Sequence, residues 1–167
     1  MTKRYLIGCL MLMTLSVKAQ FNSASIDPYL DIRSFMSLKI EVSNKTLDYA
    51  FASEKDFSDG ILKNNVMTAY IKSNQNWRLS ISAETAFFTN TSTGTTSNLP
   101  CSILSIRKEN KVGFTTISVT PAEITNGPRG SDTPPNNRFS LDLNANPGLG
   151  HDGGSYVMGI IFTLTPD

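Results

Sequence analysis

Apolar and polar residues alternate with a period of two along most of this chain. Met36, Leu38, Ile40 and Val42 alternate with Ser37, Lys39 and Glu41, the pattern of a strand with one buried and one wet face. Trp77, Leu79, Ile81 and Ala83 alternate with Arg78, Ser80, Ser82 and Glu84, and Phe139, Leu141 and Leu143 with Ser140, Asp142 and Asn144. Shorter runs at 46–51, 66–73, 102–107 and 112–119 fit the same period. Residues 156–164 are apolar on both faces, which predicts a central strand covered on both sides. No window carries a helical stripe. The best, 53–62, is interrupted by Asp59-Gly60 and predicts a loop with a short turn. Many short strands without helices predict an all-β antiparallel sandwich of roughly 7–9 strands with long loops. The strands vary too much in length for a membrane barrel, and no aromatic girdles recur.

The connections refine this. Ser73-Asn74-Gln75-Asn76 lies between two strand-like runs and predicts a tight hairpin turn. Residues 89–98 read as a Thr/Ser/Asn/Gly loop. Residues 121–137 contain Pro121, Pro128, Pro134 and Pro135, so no strand is expected through their middle. Residues 144–154 form a Gly-rich loop. Long loops are usually functional or mobile. There is no internal repeat.

The N-terminus changes the picture of where the chain goes. Lys3 and Arg4 precede an apolar run from Tyr5 to Val17, and Val17-Lys18-Ala19 offers a cleavage site. This is the three-part pattern of a Sec signal peptide covering 1–19, and the run is too short to span a membrane. Leu6-Ile7-Gly8-Cys9 spells a lipobox in the middle of the apolar run, whereas lipidation falls at its end. Lipidation of Cys9 is therefore the lesser alternative. Residues 20–167 remain as a single domain, exported to the cell surface, the extracellular space or the periplasm, with no transmembrane segment. Of 167 residues, 15 are Lys or Arg and 14 Asp or Glu; removing Lys3, Arg4 and Lys18 leaves acids in excess. No basic patch points to nucleic acid. Cys101 is then alone, so no intrachain disulfide forms, and a buried strand position suits it best.

Candidate chemistry is sparse. His151, in Gly150-His151-Asp152-Gly153-Gly154, lacks the further ligands of a catalytic metal site and the motif of a nucleophile. The Gly-rich stretches lack the end of a phosphate loop. Asp56, Asp59 and Gly60 lack the spacing and closing glutamate of a calcium loop. Asn44-Lys45-Thr46 and Asn90-Thr91-Ser92 are sequons that matter only on a eukaryotic secretory route. No enzymatic activity, cofactor or metal is expected.

Two segments carry a resemblance. Trp77-Arg78-Leu79 follows a polar Asn-rich turn, and the chain ends Gly154-Ser155-Tyr156 through Phe162-Thr163-Leu164 to Pro166. This resembles the WxL domain of bacterial cell-surface proteins, with Phe162 standing where the second Trp-x-Leu has tryptophan. The resemblance implies a non-catalytic attachment or binding module, with cell-wall polysaccharide, peptidoglycan or another surface protein as partner. Trp77 and Leu79 share one face of a strand, as do Phe162 and Leu164; both pairs are expected in the core of an Ig-like sandwich. A looser likeness is to pilin-type sandwiches, whose last strand opens on a similar Gly-x-Tyr element, here ending at Tyr156. It implies the alternative of a structural subunit of a fimbrial or surface-layer assembly, polymerising by strand exchange. Such subunits need an N-terminal donor strand, and 20–29 supplies a short one.

Overall fold

The computed structural model describes residues 28–43 and 47–167. The signal-peptide and Cys9 readings and the first sequon lie outside them. Two compact units divide the chain, Met1–Ile32 and Arg33–Asp167, and every assigned element belongs to the second.

In chain order the elements are β1 (Met36–Val42), α1 (Glu54–Asp59), β2 (Ile61–Ser73), β3 (Trp77–Ala83), β4 (Phe87–Asn90) and β5 (Thr96–Pro100). A 3₁₀ turn (Cys101–Ile103) leads into β6 (Leu104–Lys108). Then come β7 (Thr115–Thr116), β8 (Ala122–Gly127), β9 (Arg138–Ala145), β10 (Tyr156–Val157) and β11 (Ile160–Pro166). The eleven strands form a five-stranded sheet, β1-β2-β9-β6-β7, and two three-stranded sheets, β11-β3-β8 and β10-β4-β5. Every pairing is antiparallel. The chain is thus the all-β antiparallel sandwich that the alternation predicts, divided more finely.

The sandwich closes around residues that alternate inward. From β2, Ala69 and Ile71 are fully buried; from β3, Trp77, Leu79 and Ile81; from β9, Phe139, Leu141 and Leu143. The Trp77 ring stacks on Phe139 of the facing sheet at 6.1 Å between centroids. Its indole Nε1 donates to the Pro128 carbonyl and to Asn137 Oδ1, each at 3.0 Å, so its one polar atom is satisfied inside the core. Gly127 lies opposite Trp77 in the β3–β8 ladder. A β-carbon built there would sit 2.3 Å from the indole Cζ2, so only glycine leaves room for the ring. Cys101 is buried as expected, but it opens the 3₁₀ turn before β6 and is not in a strand.

Several expectations are corrected. Residues 73–76 are not a hairpin: β2 and β3 belong to different sheets, and the segment is a corner between them. Asn74 fixes that corner, accepting from Phe35 N–H at 2.8 Å and donating to the Arg33 carbonyl at 2.6 Å. Ser73 N–H donates to Gly130 O instead of to β3.

Residues 47–51 form no strand. Leu47, Tyr49 and Phe51 lie against the core, and the Tyr49 hydroxyl donates to the Leu143 carbonyl at 2.9 Å. Their alternation reflects packing without a ladder. Residues 53–62 contain the helix α1, where Ser53 and Asp56 form a capping box. Gly60, at φ 76°, ends the helix and does not prevent it.

Residues 89–98 are largely a hairpin of β4 and β5. Its turn is held by Asn90 Oδ1, which accepts from Ser92 N–H at 2.9 Å, and by Gly94 at φ 69°. Within 112–119 only Thr115–Thr116 is strand; Val112 stands 98% exposed. Within 121–137, β8 occupies the six residues between Pro121 and Pro128. It is an edge strand, so the flanking prolines interrupt no ladder. The supposed central strand at 156–164 is two strands, β10 and β11, in different sheets, each at the end of its order.

Trp77→Ala is expected to cost on the order of 3–5 kcal/mol, and Gly127→Ala about 1–3 kcal/mol by overpacking; urea unfolding of both variants checks this. Burial pushes the Tyr49 phenol up to about 12 from 10.0. Folding favours its neutral form, so this contribution is fully present below pH about 10 and lost as the pH rises towards 12. The hydrogen bond to Glu41 also raises Tyr70, so an ultraviolet titration should show late tyrosine absorbance, of which Tyr49→Phe removes the part near pH 12.

Candidate functional site: an open seam between two sheet edges

In most of the sandwich, burial is complete on inward faces. It fails along β1 and β11. Leu38 lies opposite Ile71 and Ile40 opposite Ala69; Phe162 lies opposite Ile81 and Leu164 opposite Leu79. All four partners on β2 and β3 are at 0% exposure. Met36, Leu38, Ile40, Ile160, Phe162 and Leu164 pack on the same core but remain half-buried. One step outward along each sheet, the core opens.

The two strands lie close to each other, reaching within 8 Å between Cα atoms, yet share no ladder: β1 pairs with β2 alone and β11 with β3 alone. Each therefore presents an edge of backbone N–H and C=O groups with no strand partner among the described residues. Such an edge is a template for another strand. A strand pairing with both would need them about 9–10 Å apart, twice the normal inter-strand spacing, so occupancy requires the seam to widen where it is narrowest.

The flanks are charged on one side only. On the outer face of β1, Lys39 and Glu41 form an ion pair. Hydrogen bonding to Glu41 raises the lysine, and hydrogen bonds from Lys39 and Tyr70 hold the Glu41 carboxyl low. On β11 the outward residue Ile161 is 47% exposed. Charges on β1 discourage indiscriminate pairing there, whereas β11 carries no such guard.

The structure brings both sequence motifs together. Trp77 and Leu79 on β3 neighbour Phe162 and Leu164 on β11, with Leu79 opposite Leu164 and Trp77 opposite Pro166. Trp77 and Leu79 are sealed in the core; Phe162 and Leu164 line the seam. Tyr156 is elsewhere, paired with Asn90 in the β10-β4-β5 sheet, its hydroxyl donating to the Asp152 carbonyl at 2.8 Å. His151 sits in the loop before it, with a buried Nδ1 that has no hydrogen-bond partner. No group of three or more His, Cys, Asp and Glu is placed to hold a metal ion among the described residues. Asp56 caps α1, and Asp59 pairs with Lys55. The contribution of Met36, Leu38 and Ile40 to the seam went unread in the sequence, because alternation marks a strand without saying whether it has one neighbour or two.

No family model and no curated protein matches the chain. A solved structure of a chaperone-usher pilus is similar to it, at 10% identity and a TM-score of 0.41, covering 92% of this chain and 100% of that one. No helix among the described residues is long and apolar enough to cross a membrane.

Opposite positions on one ladder test the opening of the core. Leu79→Ala is expected to cost about 2–5 kcal/mol, and Leu164→Ala well under that, because its side chain is already half in water; denaturant unfolding of the two variants makes the comparison.

Proposed function

We propose that this protein is a non-catalytic subunit of a surface assembly, which takes up a β-strand from a neighbouring molecule at the seam between β1 and β11. One observation carries the reading: two adjacent sheet edges, each with an inward row of half-buried apolar residues, border a core complete everywhere one strand further in. A strand with alternating apolar residues would cover Leu38, Ile40, Phe162 and Leu164 and satisfy the backbone edges left without a strand partner among the described residues, the two terms that give strand addition its affinity and register. The amino-terminal pattern of an export signal supports an extracytoplasmic address for such a subunit.

The test is size-exclusion chromatography with light scattering over a rising concentration series. Concentration-dependent oligomers are expected. Phe162→Glu should abolish them while leaving the far-ultraviolet signal of the sheets unchanged. A protein that stays monomeric at every concentration would sink the proposal.

The second reading is a WxL-type cell-wall attachment module. What favours it is that its two motifs lie on neighbouring strands. Saturable pelleting of a monomer with peptidoglycan sacculi would prefer attachment over assembly.

A further inference from the structure

On the outward face of the five-stranded sheet, away from the seam, the chain builds a polar cleft of about 450 Å³. Its floor is an ion pair between neighbouring strands. Asp142 of β9 lies opposite Arg107 of β6, and Arg107 Nε donates to Asp142 Oδ2 at 2.8 Å. Asp142 points away from the core, yet is only 4% exposed, with the Arg107 side chain and the Asn65 backbone seated on its carboxylate. The β2–β9 register shifts between Lys63 and Met67. That bulge lifts Asn64 and Asn65 out of the ladder, with Asn65 at φ 53°. Asn65 N–H then donates to Asp142 Oδ1 at 2.9 Å. Both carboxylate oxygens are thereby engaged, and bulges of this kind commonly re-aim side chains at functional sites.

The opposite wall is the turn after β6, where Asn110 takes φ 63°. Glu109 Oε1 accepts from Ser140 N–H at 3.2 Å, and Lys111 Nζ donates to the Ile124 carbonyl at 2.7 Å. The Phe114 ring lies 4.4 Å from the Arg107 guanidinium, which holds the fork in place. What remains unspent faces the cleft. Among the described residues, the Nη1 and Nη2 groups of Arg107 and the side-chain amides of Asn64, Asn65 and Asn110 make no hydrogen bond. Lys111 keeps spare donors, and Glu109 a spare carboxylate oxygen.

We infer that this cleft binds a neutral polyhydroxylated ligand, a glycan. The free groups are mixed: a planar guanidinium fork, three amides that both donate and accept, and a carboxylate oxygen. Two cations and two carboxylates line the cleft, so their charges balance. An anion would use only the donors and would meet Glu109. A cation would use only the acceptors and would meet Arg107 and Lys111. Vicinal hydroxyls donate and accept at once and match the whole set. The left-handed backbone at Asn65 and Asn110 and the ion-paired arginine set the frame of the cleft before binding, which lowers the ordering cost. β1 stands at the far end of the strand order from β6 and β7, so the cleft can be filled whether or not the seam takes up a strand.

The experiment is an amide NMR titration of the full chain with four neutral trisaccharides (maltotriose, cellotriose, chitotriose and mannotriose) and one anionic one, trigalacturonate. At least one neutral probe is expected to shift the amides of Asn64, Asn65, Glu109, Asn110 and Lys111 saturably. Asn64→Ala with Asn110→Gly removes two exposed amides while glycine keeps the left-handed turn. This double variant should bind about tenfold more weakly or worse, a loss of about 1.4 kcal/mol, with an unchanged melting temperature. Silence from all four neutral probes, a response to trigalacturonate alone, or wild-type binding by the double variant would each overturn the assignment.

Discussion

The stack of Trp77 on Phe139 joins the two main sheets, and the rest of the sandwich is arranged around it. The indole is the largest side chain in the core and the one whose polar atom must be satisfied there. Its two acceptors come from the segment after β8, Pro128 and Asn137. That segment carries the chain from one sheet to the other, so the same hydrogen bonds that satisfy the indole anchor the crossing. Gly127 is the complementary constraint: the ring occupies the space where a side chain at this position of β8 would project. A residue whose environment is this specific acts as a packing element, and its motif partner Leu79 is equally sealed.

From that centre, burial declines outward along the sheets. It is complete on β2 and β3 and partial on β1 and β11. A sandwich can close such an edge with one more strand, with a covering loop, or with charge. This protein covers another part of its core with the extended segment around Tyr49 and Phe51 and guards the outer face of β1 with an ion pair. It leaves the inner seam apolar. The same economy appears on the outer face of the five-stranded sheet, where one bulge and one left-handed turn convert a plain polar surface into a cleft with a buried charge pair at its floor.

Much of this was legible in the alternation. β1, β3 and β9 stand where the period of two places them, with the inward residues it names except Val42, which is 45% exposed at the end of β1. The spacing places Trp77 with Leu79 and Phe162 with Leu164 on shared faces; the first pair is sealed in the core and the second stays half-buried at the seam. The failures share a cause. Residues 47–51 alternate because every second side chain touches the core, although the backbone joins no ladder among the described residues. Residues 73–76 have the composition of a hairpin turn but make a corner, because Ser73 finds its partner at Gly130. Gly60 looked like an interruption and is a cap. The Asn64–Asn65 bulge and Asn110 left no periodic trace, since their meaning lies in what faces them across Asp142.

The sequence by itself determined which side chains go inward, because residues two apart in a strand must share a face whatever the fold. It also determined that the chain is built from strands, since no stretch offers a helix an apolar stripe of useful length. Only the tertiary structure decided which strands are neighbours and which stand at an edge. Pairing joins residues far apart in the chain, and an edge is defined by a partner that does not arrive. Residues 156–164 show the difference: a run apolar on both faces reads as a buried central strand, yet the three-dimensional arrangement divides it between two sheets and leaves its longer part at the margin of an open seam.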